Sequence, residues 1–471
     1  MTAAVLARRR FEMADQTAFA EMSGDWNPIH VDPVAARRLI AGAAIVHGIH
    51  ALLWAIESYF AQGGKAIAGI QASFLQPIRL GNEVVVSRER NDGGDVLNVS
   101  NSAGDVMILA RLTAGYSTEL SGFASDACAA KAAPLNLAFD DLRDRSGKLV
   151  IHDAGRLGEV FPQARRRMSM TRLAGLAALS RLVGMECPGL HSLFMGLDLA
   201  FTRDTSASIA YRVTRLANAN VPIGLAVTGA GLEGKVDAIF RPAPVAQNSM
   251  GEIEGVERGE FSGQLALVVG GSRGLGEVTA KIIALGGGMP IVTYYSGAED
   301  ATAVVDDIRR HGAQVDVIRL DIMDMAPALA ELQKRGYVPT HMYYFAAPRI
   351  VANKGSFSDG LCRAFCAYFV DGFTALCERL AERRPLRAFY PSTAFIDEKV
   401  AGMAEYAEAK RFGEIAARQI ERRLPRISVV ARRLPRLRTD QTVSLLRRPA
   451  ENPVTRLIEI VRDMHKVEVS T

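Results

Sequence analysis

The feature that most constrains this chain is an internal repeat. At a fixed offset of 127 residues, the run Ala68-Gly69-Ile70-Gln71-Ala72-Ser73-Phe74 falls on Met195-Gly196-Leu197-Asp198-Leu199-Ala200-Phe201. The same offset sets His47-Gly48 on Ala174-Gly175, and Leu52 on Leu179. Each copy opens with an apolar helical pattern, at residues 48–60 and 171–185. Alternating apolar and polar runs follow, at 84–88, 96–100 and 106–114 in the first copy and at 209–215, 224–228 and 235–241 in the second. Alternation of period two is the mark of a half-buried strand. A helix followed by an antiparallel meander suits a helix wrapped in a curved sheet, so the first 250 residues read as one α+β unit built twice.

The rest of the chain has a different rhythm. An apolar strand pattern at 265–269 runs into a glycine turn and a helix, a second strand follows at 290–294, and β and α signals alternate to about residue 430. That alternation predicts a Rossmann-type α/β fold with a doubly wound parallel sheet. Two composition shifts mark boundaries. One lies around residues 125–134 and the other, polar with Pro and Gly, around 241–263. The expected division is 1–124, 125–250 and 258–471. At about 150 residues per domain, the 471 residues agree with three such units.

Composition excludes several classes. Hydrophobic residues make up 49% of the chain, which rules out a mainly disordered protein. Five cysteines (Cys128, Cys187, Cys362, Cys366 and Cys377) include no CxxC pair, so neither a disulfide scaffold nor a cysteine metal site is expected, and a reducing, cytoplasmic setting fits. The opening MTAAVLARRRFEMADQ places charge where a secretory signal needs an apolar run. The apolar windows 39–46 and 264–271 fall short of the ~18 residues of a membrane span. The net charge of +5 is mild, and its excess sits in residues 421–471, with 12 Lys or Arg against 6 Asp or Glu. It is not interleaved with aromatics, so nucleic acid is not an expected partner.

The first candidate site is the run Gly24-Asp25-Trp26-Asn27-Pro28-Ile29-His30-Val31-Asp32. Asn-Pro forces an irregular segment, and such a loop can aim Asp25 and His30 at one point. A carboxylate and an imidazole converging on one water form a general acid/base pair. Downstream, His47-Gly48 opens the apolar helix, whose first N–H groups can polarise a carbonyl oxygen.

This run, with the later His47-Gly48, resembles the MaoC-like, (R)-specific enoyl-CoA hydratases of the hotdog fold, over roughly residues 11–117. The resemblance implies that Asp25 and His30 hold and exchange protons with the reacting water or hydroxyl. It also implies that Gly48 offers its N–H to a thioester carbonyl. The second copy lacks the set: the offset puts His152 and Leu157 at the dyad positions and Ala174 at His47. A degenerate partner half resembles the double-hotdog hydratases, so 125–250 is expected to be a structural half.

The second candidate site begins at Gly270-Gly271-Ser272-Arg273-Gly274-Leu275-Gly276, between a strand and a helix. Glycines there let the backbone approach a pyrophosphate at the helix N-terminus. Tyr406 and Lys410 stand four apart on a later helix, hence on one face. A lysine cation beside a phenol lowers its pKa and makes it a usable proton donor. Together these features resemble the short-chain dehydrogenase/reductases, over roughly 260–471. The resemblance implies cofactor contacts from Gly270, Ser272, Arg273, Gly274, Leu275, Gly276, Asp321, Ile322, Lys410 and Thr439, and catalytic roles for Ser392 (or Thr393), Tyr406 and Lys410. Three departures stand out. Phe345-Ala346-Ala347 replaces the family's Asn-Ala-Gly, Tyr368 and Phe369 fall where the family places a catalytic Asn, and Leu434-Pro435 lies where a Pro-Gly is usual. No acid closes the second strand at Val292-Thr293-Tyr294-Tyr295-Ser296, and Arg273 is placed to meet a 2′-phosphate, so NADP(H) is favoured over NAD(H).

These two resemblances imply consecutive steps on one carbon skeleton. The expected activity is reduction of a 3-oxoacyl thioester to the (R)-3-hydroxyacyl form, followed by dehydration to the trans-2-enoyl form. The expected substrates are acyl-CoA or acyl-carrier-protein thioesters, and arginine clusters at 8–10, 165–167 and 432–438 are candidates to meet their phosphates or an acidic carrier. The expected assembly is a homodimer or higher oligomer. Two alternatives stay open: an NAD-linked hydratase–dehydrogenase of β-oxidation, and a non-catalytic acyl-binding or scaffolding subunit.

Overall fold

A computed structural model of the chain describes residues 4–39, 41–91, 94–115, 131–151, 155–218, 221–350, 352–353, 355–440 and 450–467. The sequence boundary near residue 125, Cys128 and His152 lie outside the described residues. The chain divides into two compact units, Met1–Ala243 and Pro244–Thr471.

The first unit is a ten-stranded, hotdog-like antiparallel sheet. Its strands are β1 (Ala4–Arg10), β2 (Ile67–Phe74), β3 (Glu83–Asn91), β4 (Gly94–Asn101), β5 (Val106–Ala114), β6 (Ser146–Val150), β7 (Ser192–Phe201), β8 (Ser208–Arg215), β9 (Ile223–Gly229) and β10 (Leu232–Phe240). They lie in the order β1-β3-β4-β5-β2-β7-β10-β9-β8-β6. Read from the middle outward, the two halves have the same order. They join where β2 pairs antiparallel with β7, and there Gln71 faces Asp198, its own counterpart 127 residues on. The repeat is therefore a quasi-two-fold axis through that pair. The helices Gly48–Ala61 and Met170–Arg181 occupy equivalent places, and their buried faces (Leu52, Leu53 and Ile56; Leu173, Leu176 and Leu179) share one core. Residues 182–185, expected to continue the second helix, form a π-helical turn, Leu182–Glu186.

β1 was not legible in the sequence. Its arginines read as a charged terminus, yet Arg8 and Arg9 pair with Val85 and Val84 on an edge, where one strand face stays wet.

The second unit holds six parallel strands: β11 (Leu265–Val269), β12 (Met289–Tyr294), β13 (Asp316–Arg319), β14 (His341–Tyr344), β15 (Leu386–Thr393) and β16 (Ile427–Leu434). Their order, β13-β12-β11-β14-β15-β16, is the doubly wound arrangement with its switch between β11 and β14. β14 is buried along its whole length and β11 along nearly all of it, as strands covered on both faces must be. The helical run Asp359–Ala381 has the length and mean hydropathy (1.2) of a membrane span, but Phe373, Leu376 and Cys377 belong to the core of this unit. Part of the polar stretch read as a linker packs as well. Met250 and Phe261 are core residues of the second unit, and the Met250 N–H donates 3.0 Å to Asp307.

Candidate active sites

The first site grows from the end of the helix Met13–Ser23. Gly24, with φ 78°, turns the chain, and the next polar residues divide their work. Asn27 accepts from the Ile29 N–H and starts the short helix Pro28–Val31, while Asp32 accepts from Val34 and Ala35 and starts the next. Those two are caps. Asp25 and His30 are left to face each other.

Asp25 is 1% exposed. Its Oδ1 accepts from the Asn27 N–H at 3.2 Å and its Oδ2 from the Ser180 hydroxyl at 2.6 Å. Burial raises its pKa, against the opposing pull of His30, Ser180 and Asn27. His30 Nδ1 lies 2.9 Å from the Ile45 carbonyl, which only accepts, so Nδ1 carries the proton and Nε2 keeps its lone pair. Burial lowers the His30 pKa, Asp25 raises it, and the nearby Arg241 charge lowers it further. The acid is thus pushed toward holding a proton and the imidazole toward losing one, which is how a proton-exchanging pair is matched.

His47 lies beneath them. Its ring stacks on His30 at 3.9 Å, Nδ1 meets Gln16 Oε1 at 2.9 Å, and Nε2 meets the Asp25 carbonyl at 3.0 Å. Its pKa is held well below 6.5 by burial. Ligand-type atoms of Asp25, His30 and His47 fall within 4.8 Å of one another, with His30 Nδ1 and both His47 nitrogens already in hydrogen-bond contact with protein oxygens. Gly48 is the first residue of its helix, and a Cβ there would press on the Phe74 ring at 2.9 Å.

Arg241 was missed in the sequence, where it fell at the edge of the polar stretch. It follows β10, is 1% exposed, and donates to the carbonyls of Leu190 and Ser192, while its Nη1 has no partner. Burial lowers its pKa to about 10, which leaves it charged at neutral pH.

In the second unit the glycine turn has the expected form. Gly270 (φ 77°) and Gly274 (φ 60°) take conformations that favour glycine, and a Cβ on Gly276 would collide with the Gly270 carbonyl. The Gly270 and Gly271 N–H groups are tied to Thr293 at the end of β12. Ser272 is buried, Leu275 packs on the core, and Thr439 lies beside Gly274. A backbone held this close fits a pyrophosphate. Asp321 Oδ1 accepts from the Met323 N–H, and Ile322 is a core residue. Arg273 corrects an expectation: its guanidinium pairs with Asp440 at 2.6 Å, so the charge meant for a 2′-phosphate already faces a carboxylate.

The Tyr406–Lys410 pair also departs from expectation. Both lie on the helix Ala404–Arg423. Lys410, however, donates to the Pro391 carbonyl at 2.6 Å and sits over the rings of Phe369 (4.0 Å) and Tyr390 (5.1 Å). Burial lowers its pKa to about 7 and pushes Tyr406 up to about 12. Tyr406 is packed among Phe365, Phe369 and Phe395, and the burial that raises its pKa exceeds the lowering pull of its bond to Thr393. Of the two hydroxyl candidates, Thr393 is the one bonded to Tyr406. Ser392 points to the other side of β15 and donates 2.6 Å to Glu414, as adjacent strand residues must diverge. Phe369 lies in a π-helical turn, Ala367–Gly372.

Comparison with known proteins agrees with this picture. Residues 4–109 match the family described as MaoC like domain. A mitochondrial 3-hydroxyacyl-acyl-carrier-protein dehydratase of Arabidopsis thaliana is 33% identical over 83 residues, 16% of this chain and 47% of that protein. An (R)-specific enoyl-CoA hydratase of Aeromonas caviae is 34% identical over 84 residues, 17% of this chain and 63% of that protein. The chain thus spans less than two thirds of either relative. A short-chain dehydrogenase from Burkholderia cenocepacia, solved with NADP, shares 22% identity at a TM-score of 0.39, over 44% of this chain and 94% of that one. The strand order itself carries the fold of the second unit. Residues 4–109 thus carry a MaoC-like domain, and the second unit has a doubly wound, Rossmann-type parallel sheet.

Proposed function

We propose that the chain is a bifunctional enzyme that reduces a 3-oxoacyl thioester and dehydrates the resulting (R)-3-hydroxyacyl thioester. The observation that carries it is the pair of buried Asp25 and half-buried His30 inside the MaoC-like match. In dehydration, His30 Nε2 takes the proton α to the thioester, the C–H electrons form the double bond, and the C–O bond breaks. Asp25 protonates the departing hydroxyl, which leaves as water, and hydration reverses each step. The Gly48 N–H, at the positive end of its helix, stabilises the charge that builds on the thioester oxygen.

In the second unit, Gly270, Ser272, Gly274 and Gly276 would hold the pyrophosphate of a nicotinamide dinucleotide, with Thr439 beside the turn. That cofactor supplies hydride. Tyr406, bonded to Thr393, would protonate the carbonyl oxygen. The lack of an acid after β12 supports NADP(H), and a phosphate at Arg273 would have to displace Asp440. The Lys410 geometry favours a second reading, in which this unit binds nucleotide without reducing anything. The test is to supply 3-oxoacyl-CoA and 3-oxoacyl carrier protein with each reduced nicotinamide. Oxidation of NADPH that vanishes in Tyr406→Phe supports the bifunctional reading. No oxidation by the wild type, with nucleotide still bound, supports the second.

A further inference from the structure

The copy without the dyad reaches into the site of the copy that has it. Ser180, near the end of the helix Met170–Arg181, donates 2.6 Å to Asp25 Oδ2, and both groups are buried. Gly184, in the π-helical turn that follows, lies so close that a Cβ would collide with the Asp25 carboxylate. The Gly184 carbonyl accepts from Asn27 Nδ2 at 2.8 Å, which ties the turn to the loop.

The repeat shows what stands at the mirrored places. The counterpart of Ser180 is Leu53, a core residue with no exposure. The counterpart of Gly184 is Glu57, whose carboxylate accepts from the backbone of Gln163 (3.0 Å) and Ala164 (2.8 Å) and caps the helix Pro162–Met168. One site therefore receives a hydroxyl and a bare backbone, and the other a leucine and a carboxylate. A carboxylate at 184 would face Asp25 with like charge.

We propose that the second copy completes the acid/base site: Ser180 is a positioning residue that fixes Asp25, and Gly184 is the gap that admits its carboxylate. This rests on the reading of Asp25 and His30 as the dehydratase pair. With Oδ1 held by the Asn27 N–H and Oδ2 by Ser180, the carboxylate cannot turn about its Cβ–Cγ bond, and its remaining lone pairs stay aimed at one place. His30 and His47 face it from the first copy, with Arg241 of the second copy acting on His30.

The test is hydration of a trans-2-enoyl-CoA by the full chain and its Ser180→Ala, Ser180→Thr and Gly184→Ala variants. Ser180→Ala is expected to lower kcat roughly tenfold to a hundredfold, the loss of one bond to a charged group, with KM within about twofold. Removing the donor raises the Asp25 pKa, so the limb of the pH profile set by Asp25 moves upward, which a merely structural role would not produce. Ser180→Thr restores most of kcat, and Gly184→Ala loses at least as much as Ser180→Ala. Should Ser180→Ala not fold, Ser180→Cys keeps the volume with a poorer donor and is expected to show the same fall. Variants at Ser180 with the wild-type kcat and pH profile would overturn the proposal. A wild-type protein that hydrates nothing overturns the dehydratase reading instead, and the proposal with it.

Discussion

At one quasi-equivalent place in the first unit, buried Asp25 faces half-buried His30, with Ser180 and Gly184 against Asp25. At the other, only the shorter run 151–169 separates β6 from its helix, against 11–47 between β1 and its own, and Ala174, a core residue, stands where His47 would be. Leu53 and Glu57 look in from the opposite copy. The two copies share strand order, helix placement and a symmetric join at Gln71 and Asp198. What separates an acid/base site from a packed one is five or six side chains, and they are divided between both copies. The lesson is that losing a dyad does not make a half inert: Ser180 and Gly184 lie in the copy whose own site is filled.

Three changes sharpen that contrast. The largest effect is expected from Gly184→Glu, which makes the live site resemble the filled one. It places a second carboxylate on Asp25, and hydration should fall by at least about a hundredfold while circular dichroism shows a folded chain. Next is Arg241→Met. Arg241 adds to burial in keeping His30 neutral, so its removal raises the His30 pKa. In hydration His30 gives its proton to the α-carbon and must hold it beforehand, so the alkaline limb of the hydration profile then moves to higher pH. A profile that stays in place would show that the Arg241 charge is screened from His30. The smallest is Glu57→Ala at the filled site. It removes a helix cap worth about 1 kcal/mol, measurable as a lower Tm, and leaves hydration unchanged.

A second contrast explains how much was legible in the sequence. The first site is one contiguous loop plus a helix start, and a loop whose Asn27 and Asp32 cap their own turns carries its geometry locally. Asp25, His30 and Gly48 were therefore readable, as was the glycine turn after β11. The Tyr406–Lys410 pair shares a helix face, but where Lys410 points is set by Pro391, Phe369 and Tyr390 from β15 and a π-helical turn. Helical spacing contains no information about those neighbours. Thr393 and Ser392 are resolved only by strand direction. Ser180 and Gly184 escaped because small residues on an apolar helix read as packing. The repeat alone, by setting them on Leu53 and Glu57, held the signal. Arg241 was hidden because Pro242 and Pro244 beside it read as the start of a linker.

The central claim, that the first unit is a dehydratase working through Asp25, is tested most directly by one comparison. The wild-type chain and Asp25→Asn, an isosteric change that removes the exchangeable proton, are given a trans-2-enoyl-CoA, and the hydration product is resolved by enantiomer. The wild type is expected to form the (R)-3-hydroxyacyl thioester, and Asp25→Asn to be slower by at least about a hundredfold while remaining folded. Hydration by Asp25→Asn at the wild-type rate would contradict it.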